Sequence, residues 1–478
     1  MTSTKQNSEI YSQTYSRIHY QRSRGPRWNL FIGIGLILVF ILSLQLARST
    51  PSTQLLVKIL PLSRHEDSFD TYKHLGHLSP FFVPSNTPAS LRSGTPPGCA
   101  AEKAFLIHRH GSRHPHEDEL AIIQNLSDYV NNNRDLFSNP KVQLPGTYSF
   151  LYEGWNSTFG TDSLTAPGRQ QLFDHGVSLR LQYPDFDSVT EVLASDSDRV
   201  VESARWFMDG FYGRVSNYTA TLKVVAENET TVSWITPYLA CPKWDSAYGE
   251  DPPAKWRPLY IPPITKRINK SLAKAYPDVN FTDTHISAML YSCAYETAIR
   301  GIGSSPWCGV FLPSEIADNE YEYDLRMRGF AGYGLPGDMA SVLGSLLVSN
   351  VTSFLQRDEG PKLSLGFGHD KTIALGLTAL GLASDKLPPT GPVDPDRAWR
   401  AAKLMPFAAN MVWQRLECDG DRTRIQLLLN GANYGLGPVG CEIDEYGSCA
   451  LEDFLNTTKV QTALKFTYGD ERWKTACH

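Results

Sequence analysis

A seven-residue segment that follows an apolar run constrains the fold of this chain more than any other feature of the sequence. Residues 104–107 predict a buried strand, and residues 109–115 (Arg-His-Gly-Ser-Arg-His-Pro) come just after it. The glycine and proline predict a turn, after which a helical pattern begins near Glu117. A turn between a strand and a helix gathers backbone N–H groups that favour an anion. The sequence therefore predicts an anion site at the end of a strand.

The side chains of this segment suit a tetrahedral phosphate. Arg109 and Arg113 each carry a planar guanidinium that binds two oxygens at once and keeps its charge. Their charges would hold His110 partly neutral, which leaves a ring nitrogen free to attack phosphorus. The segment alone does not separate a phosphatase from a mutase or from kinase-like phosphoryl transfer, and Arg-His pairs also occur on ordinary solvated turns.

A second strand end lies about 260 residues downstream. Residues 363–367 predict a short strand that ends in Gly368-His369-Asp370 and opens a helix over residues 371–380. In open α/β sheets the carboxyl ends of the strands converge on one crevice, so the two segments are expected to face each other. Asp370 would then supply the proton for a leaving alcohol, although its position also suits a helix N-cap.

Arg199 is a third candidate. Residues 192–194 predict a strand, residues 195–198 a polar turn, and a helix with one apolar face follows. Arg199 thus lies in the first turn of this helix, where the helix dipole disfavours a cation unless an anion is bound nearby. A plain surface arginine is an equally good interpretation of this position by itself.

Taken together, these motifs resemble the histidine acid phosphatases, in the fungal branch that includes the phytases. The resemblance extends from about Leu75 to the C-terminus, and it rests on residues 75–82, 109–115, 164–168 and 368–370 together with Cys99, Arg199 and the C-terminal cysteines. It implies a phosphoglycerate-mutase-like α/β sandwich core with a smaller inserted α-helical cap domain. The cap would be formed by helical insertions at about residues 116–190 and 240–355.

The resemblance also implies a role for each site residue. His110 would become transiently phosphorylated, and Asp370 would protonate the leaving group. Arg109, Arg113, Arg199 and His369 would hold the phosphoryl group, whose charge spreads over its oxygens in transfer. No metal or other cofactor is expected, and the expected partner is a small-molecule phosphate monoester.

Composition and charge agree with this interpretation. The 478 residues include 41% hydrophobic residues and can bury a large core, and the net charge of −5 without a basic run in the folded part gives no support to nucleic-acid binding. Strand and helix patterns alternate, which favours an α/β domain. Helices are predicted over residues 117–131, 168–181 and 338–355, and the resemblance implies that these helices lie largely in the cap. A late strand is predicted over residues 424–429.

Cysteines and glycosylation motifs point to an oxidising compartment. All eight cysteines lie in the folded part, and the resemblance implies four disulfides: Cys99–Cys418, Cys241–Cys477, Cys293–Cys308 and Cys441–Cys449. Eight Asn-x-Ser/Thr motifs indicate a glycosylated, extracytoplasmic domain. Their asparagines are Asn125, Asn156, Asn217, Asn228, Asn269, Asn280, Asn350 and Asn456.

The N-terminus predicts a membrane attachment. Residues 30–46 are uncharged and apolar, and Lys5, Arg17, Arg22, Arg24 and Arg27 precede them. The bias of positive charge predicts a cytosolic tail (residues 1–29) and a transmembrane signal anchor (30–46). Residues 47–98 are rich in Pro and Ser and predict a stalk and N-terminal extension. The resemblance implies an extracytoplasmic phosphatase domain (99–478), which completes a single-pass type II arrangement. Secretion after signal cleavage near Ala47 is the alternative. The oligomeric state is not predicted.

Acidic residues after the first motif bear on the substrate. Phytases typically carry lysines there, whereas this chain has His116-Glu117-Asp118-Glu119, and carboxylates at the mouth of the site should repel a hexaphosphate. We therefore expect a broad acid phosphatase, with a phytase or inositol polyphosphate phosphatase as the alternative if Lys255, Lys266 and Lys270 line the cleft. A non-catalytic, membrane-tethered glycoprotein and a mutase fit less well, because the six site residues are intact and the cysteines indicate export.

Overall fold

Eight strands form one sheet in the computed structural model, which describes residues 69–138, 146–186, 191–420 and 422–478. In chain order the strands are β1 Cys99–Arg109, β2 Glu191–Ser195, β3 Thr221–Val225, β4 Leu363–Gly368, β5 Asn410–Cys418, β6 Arg422–Leu429, β7 Ala432–Tyr434 and β8 Cys449–Ala450. Their order in the sheet is β3-β2-β4-β1-β5-β6-β7, and β8 pairs with β6. Pairing is parallel among β1 to β4 and antiparallel from β1 through β5 to β8.

Fourteen α-helices occur in the same residues. They are α1 Glu117–Asn132, α2 Arg134–Phe137, α3 Ala166–Gln182, α4 Asp198–Tyr212, α5 Ser216–Thr219, α6 Ala247–Leu272, α7 Asp283–Arg300, α8 Pro313–Ala331, α9 Met339–Gln356, α10 Asp370–Ala379, α11 Ala401–Leu404, α12 Leu451–Asn456, α13 Thr458–Leu464 and α14 Glu471–Cys477. Short 3₁₀ turns connect several of them. The predicted α/β class is confirmed, because helices cover both faces of a mixed sheet.

Two hydrophobic layers hold the helices on the sheet. On one face α3 and α4 pack against β1, β2 and β4 through an apolar cluster that includes Leu172, Phe207 and Leu365. On the other face α9 and α10 pack on the sheet through a cluster that continues into the helical cap. The cap is built mainly from α1, α6, α7 and α8, which contact one another in pairs.

The predicted placement of two helices was wrong. The sequence-based interpretation placed residues 168–181 and 338–355 largely in the cap, but α3 and α9 cover opposite faces of the sheet. In α9 the buried residues include Val342, Leu343 and Leu347, so the helix lies in the core between the sheet and other helices. It is also the only helix in the described ranges that is long and apolar enough to cross a membrane, and 67% of that stretch is buried inside the protein.

The folded unit begins before the predicted boundary at Cys99. It starts at Phe69, because the residues that follow are already packed against the core. Leu75 and Leu78 are buried, and a Cβ on Gly76 would overlap the ring of Tyr323 in α8. Within the predicted stalk, residues 47–68 lie outside the described residues, and so do the predicted tail (1–29) and anchor (30–46).

Four disulfides join distant parts of the chain. They are Cys99–Cys418, Cys241–Cys477, Cys293–Cys308 and Cys441–Cys449, the same four pairs that the resemblance implies. The first of them joins β1 to the neighbouring strand β5, whose residues stand directly opposite. This link fixes the central strand, at whose carboxyl end the first motif begins.

Candidate active site

Strand register brings the three predicted segments to one edge of the sheet. Arg109 at the end of β1 stands beside Gly368 at the end of β4, and β2 pairs with β4 on the other side. His110 extends this pairing, because its N–H donates to the Gly368 carbonyl at 3.1 Å. The helices α10 and α4 begin immediately after β4 and β2, which directs Asp370 and Arg199 toward the same cleft.

Close packing between two glycines holds the turn of the first motif. A Cβ on Gly111 would overlap the carbonyl of Gly168 in α3, and a Cβ on Gly168 would overlap the backbone of Ser112. Thr165 caps α3 by accepting from the Gly168 N–H at 3.1 Å, and its hydroxyl donates to the Ser112 carbonyl at 3.0 Å. The turn of the first motif therefore lies directly on the N-terminus of α3.

His110 presents one free ring nitrogen. Its Nδ1 lies 2.8 Å from the Gly111 carbonyl oxygen, which can only accept, so Nδ1 carries the proton and Nε2 keeps its lone pair. Burial, and after it the charges of Arg199 and Arg109, lower the pKa of His110 well below its ordinary value. The lowered pKa favours the neutral imidazole, whose free ring nitrogen could act as a nucleophile.

Arg109 is fully buried and held on several sides. Its Nη1 donates to the carbonyls of His77 (2.5 Å) and Met405 (2.8 Å), and its Nη2 lies 2.9 Å from Oδ2 of Asp370. The guanidinium also stacks over the Phe407 ring at 4.7 Å. Burial raises the pKa of Asp370, but the charges of Arg109 and, after it, Lys371 lower the pKa by more than burial raises it. The net pKa is therefore well below the ordinary value.

Arg113 is paired with Glu119, a carboxylate that the sequence analysis expected at the mouth of the site. Its Nη1 lies 3.4 Å from Oε2 of Glu119 and 3.3 Å from the Tyr295 hydroxyl, which itself donates to Glu119 at 2.5 Å. Glu119 also accepts from the His116 N–H at 2.8 Å. The prediction that Glu119 repels anions at the mouth of the site was wrong, because this carboxylate is buried and orients Arg113.

Arg199 has the nearby anion that its place in a helix requires. It lies in the first turn of α4, and its Nη1 is 2.7 Å from Oδ2 of Asp162, whose other oxygen is 2.8 Å from Nδ1 of His116. Asp162 comes from the loop before α3, which no pattern in the sequence connects to Arg199. The carboxylate compensates the unfavourable interaction of the cation with the helix dipole.

His369 pairs with Glu227, a residue of the loop after β3. Its Nε2 lies 2.5 Å from Oε1 of Glu227, and the two imidazoles of His369 and His110 are 5.6 Å apart. Burial lowers the pKa of His369, and the Glu227 carboxylate opposes this change. Glu227 itself is held by the Asp196 carboxylate, which accepts from its N–H at 2.9 Å.

These side chains enclose a cleft of about 240 Å³. All six predicted site residues line it: Arg109, His110, Arg113, Arg199, His369 and Asp370. Asp118 and Glu250 also line it, whereas Lys255, Lys266 and Lys270 are exposed on α6 and are not among the lining residues in the described part of the chain. A tetrahedral anion in this cleft would meet three guanidiniums around one neutral imidazole.

Comparison with known proteins agrees with this arrangement. A family model described as the histidine phosphatase superfamily (branch 2) matches residues 102–430. The chain belongs to this superfamily. A thiamine-repressible acid phosphatase of Schizosaccharomyces pombe is 29% identical over 422 residues, which cover 82% of this chain and 88% of that protein. Phytase A of Arthroderma benhamiae is 28% identical over 440 residues, which cover 84% and 92%.

A solved structure supports the same fold. The phytase from D. castellii superposes with a TM-score of 0.73 at 21% sequence identity, and the match covers 85% of this chain and 88% of that one. The resemblance that the motifs carry is therefore confirmed at the level of both family and fold.

Sequence reasoning missed two cations that line the cleft of this histidine phosphatase, Arg326 and Lys371. Lys371 lines the cleft next to Asp370, and its Nζ lies 4.9 Å from the ring centre of Phe330 and 5.5 Å from that of Tyr238. Burial lowers the pKa of Lys371, and the Asp370 carboxylate raises it in part. Its position directly after the His-Asp pair was a signal in the sequence, because a residue in the first turn of α10 shares the cleft with Asp370.

Proposed function

We propose that this protein is an acid phosphatase that hydrolyses phosphate monoesters through a phosphohistidine intermediate on His110. The observation that carries the proposal is the state of that imidazole: Nδ1 is tied to the Gly111 carbonyl, and Nε2 is free among three arginines. Such a nucleophile needs no separate base, because it is already unprotonated.

The first half of the reaction transfers the phosphoryl group to the enzyme. A bond forms between Nε2 of His110 and phosphorus while the ester P–O bond breaks, and Asp370 gives a proton to the leaving oxygen. Arg109, Arg113, Arg199 and His369 hold the non-bridging oxygens as their charge develops. In the second half, Asp370 takes a proton from water, which attacks phosphorus and releases inorganic phosphate and free His110.

The proton supply explains a preference for acidic conditions. Arg109 keeps the pKa of Asp370 low, so the carboxyl group is ionised before substrate binds. A phosphate monoester loses its second proton near pH 6, so below that pH the substrate brings a proton with it. Binding of the anion offsets the charge of Arg109 and Lys371, which lets Asp370 accept that proton and deliver it to the leaving oxygen.

A phytase is the alternative, and two features weigh against it. The lysines Lys255, Lys266 and Lys270 do not line the cleft, while the carboxylates of Asp118 and Glu250 do. The exposed carboxylate of Asp118 should repel a hexaphosphate by roughly 0.5–1 kcal/mol, whereas Glu250 is half-buried and paired with Arg326. Fungal phytases among the relatives keep this alternative open to test.

The membrane attachment also belongs to the proposal. The disulfides fit an extracytoplasmic protein, and we propose that residues 30–46 anchor it in a type II orientation, with secretion after cleavage as the alternative. Six of the predicted glycosylated asparagines are exposed: Asn125, Asn156, Asn228, Asn280, Asn350 and Asn456. Asn269 is half-buried and donates from Nδ2 to the Phe281 carbonyl at 2.8 Å, which makes it the poorest acceptor of the described set.

The test is phosphate release from an aryl phosphate and from phytate by the purified ectodomain. His110→Ala is expected to lower kcat at least about a thousandfold, and rapid quench of the unchanged enzyme in an alkaline denaturant should trap an acid-labile, alkali-stable phosphoprotein that the variant lacks. His478→Ala, at an exposed position, is the matched control. Full activity of the His110 variant would overturn the nucleophile assignment, and faster turnover of phytate would favour the alternative.

A further inference from the structure

A second cavity of about 480 Å³ adjoins the catalytic cleft. It lies among the cap helices α1, α6, α7 and α8, and Asp118, Glu250 and Arg326 line both spaces. The rest of a substrate whose phosphoryl group is held at His110 can therefore reach this outer cavity. The outer cavity takes no part in the chemistry described above.

Carboxylates outnumber cations in the outer cavity. Arg257 is paired with Glu322 (Nε to Oε1, 2.7 Å), and Arg326 is paired with Glu250 (Nη2 to Oε2, 3.1 Å). Both arginines are thus compensated within the cavity wall. Asp118 and Asp283 also line the cavity, and no ion pair involves either of them within the described ranges.

Asp283 and Asp118 are held differently from the paired residues. Asp283 accepts from the Thr265 hydroxyl at 2.5 Å and lies at the start of α7, and Asp118 lies in the first turn of α1. The helix dipole compensates each carboxylate only in part. The cavity therefore keeps a net negative charge.

An unpartnered hydroxyl also opens into the same cavity. Tyr291 is only 7% exposed, and its hydroxyl has no hydrogen-bond partner among the described residues, although a buried phenol usually finds one. The neighbouring Tyr260 is satisfied, because its hydroxyl donates to Glu322 at 2.5 Å. A ligand that reaches Tyr291 would supply the missing partner. Tyrosine rings beside carboxylates suit an organic cation.

We infer that the outer cavity binds the alcohol part of the substrate and favours phosphate esters whose alcohol carries a positive charge, such as an amine or a quaternary ammonium group. The inference rests on the proposed function and adds a substrate class to it. The phosphoryl group is bound by arginines in the cleft, and the cationic group is bound by Asp118, Asp283 and the tyrosines outside it. A polyanionic alcohol is disfavoured by the same charges.

The experiment compares two isosteric substrates with the unchanged ectodomain. Choline phosphate and 3,3-dimethylbutyl phosphate differ only in a nitrogen cation that replaces a neutral carbon. We expect kcat/KM to be about tenfold higher for choline phosphate, which corresponds to one cation site of ordinary strength. Equal values, or a preference for the neutral ester, would overturn the inference. Hydrolysis of an aryl phosphate by the same preparation tests the proposed function separately.

Variants that each remove one carboxylate charge from the cavity show which residues cause the preference for the cationic substrate. Asp283→Asn and Asp118→Asn should each lower the ratio of the two kcat/KM values about threefold or more, because each removes one carboxylate from the cavity. Asp453→Asn is the matched control, since Asp453 is an exposed aspartate in the first turn of α12 and does not line the cavity. A preference that survives both cavity variants would place cation recognition elsewhere and would also overturn the inference.

Discussion

Glu119 links the phosphate site to the stability of the fold. Burial raises its pKa, but Arg113 and the Tyr295 hydroxyl lower it to about 2, compared with an ordinary value of 4.5. Because the folded pKa is below the unfolded one, the stabilisation is complete above about pH 4.5 and is lost as the pH falls toward 2. The Glu119 carboxylate thus stays ionised at pH values well above 2 and keeps its pairing with Arg113 there.

Glu119→Gln should therefore destabilise the protein in a pH-dependent way. Removing the carboxylate leaves Arg113 buried without its anion, which costs about 3 kcal/mol of unfolding free energy at neutral pH. We expect the difference in Tm between the variant and the unchanged protein to be large near neutral pH and to narrow toward pH 2. Thermal unfolding followed by circular dichroism measures both values, and a difference that does not change with pH would contradict this account.

Glu227 is expected to affect the reaction through its contact with His369. Its carboxylate opposes the effect of burial on the imidazole, so Glu227→Gln should lower the pKa of His369 further. A smaller fraction of His369 then carries the charge that holds a phosphoryl oxygen. We expect kcat/KM to fall about tenfold and its decline with rising pH to begin at a lower pH.

The control for this prediction lies two residues away. Glu229 is exposed, and Glu229→Gln keeps the glycosylation motif at Asn228 intact while making the same change of charge. Glu227→Asp should restore part of the lost activity. A fall in activity without any change in the pH profile would mean that Glu227 supports only the local structure.

At the scale of secondary structure, the N-terminus of α3 determines where the turn of residues 110–113 lies. Gly168→Ala would place a methyl group against the Ser112 backbone, and overpacking of this kind costs about 1–3 kcal/mol. Since the turn carries His110 and Arg113, we expect kcat to fall more than tenfold. Gly309→Ala is the matched control, because a Cβ there meets no atom within 4 Å. Unchanged kcat in the Gly168 variant would show that the turn does not depend on this contact.

Strands that end in a motif could be predicted from sequence, whereas the surfaces against which the helices pack could not. Residues 363–367 form a short apolar run bounded by a glycine, and β4 lies within one residue of that prediction. The helix over residues 338–355 was also found, but its apolar residues fit a place in the cap or against the sheet equally well. Which surface covers such a helix depends on contacts that are distant in sequence.

At the scale of the whole molecule, the origin of the proton that reaches the leaving oxygen determines how kcat/KM depends on pH. If the substrate monoanion brings the proton, the decline of kcat/KM with rising pH should follow the second phosphate pKa of each substrate, near 6 for many esters. An aryl phosphate, whose second pKa is lower than that of an alkyl phosphate, should lose activity at a lower pH. Parallel pH profiles for one aryl and one alkyl ester measure this. Coincident profiles would mean that an enzyme group alone supplies the proton.

The predicted site residues and their unpredicted partners differ in how they reach the cleft. Arg109, Asp370 and Arg199 each follow a recognisable strand, and the topology of a parallel sheet brings such positions together. Glu227 and Asp162 lie in loops, and their pairing with His369 and Arg199 depends on how those loops fold over the sheet. No local pattern encodes such a contact, so the charges that tune the site were found only in three dimensions.

The position of β1 in the sheet has a consequence for how the protein matures. This strand is made early, yet both of its neighbours, β4 and β5, are made more than 250 residues later. Until then its apolar side chains have no sheet to join, and such long-range pairing is slow and exposes the chain to aggregation. We therefore expect the unfinished chain to be exposed to aggregation for most of its synthesis, and the cleft around His110 cannot form until β4 and β5 have been added.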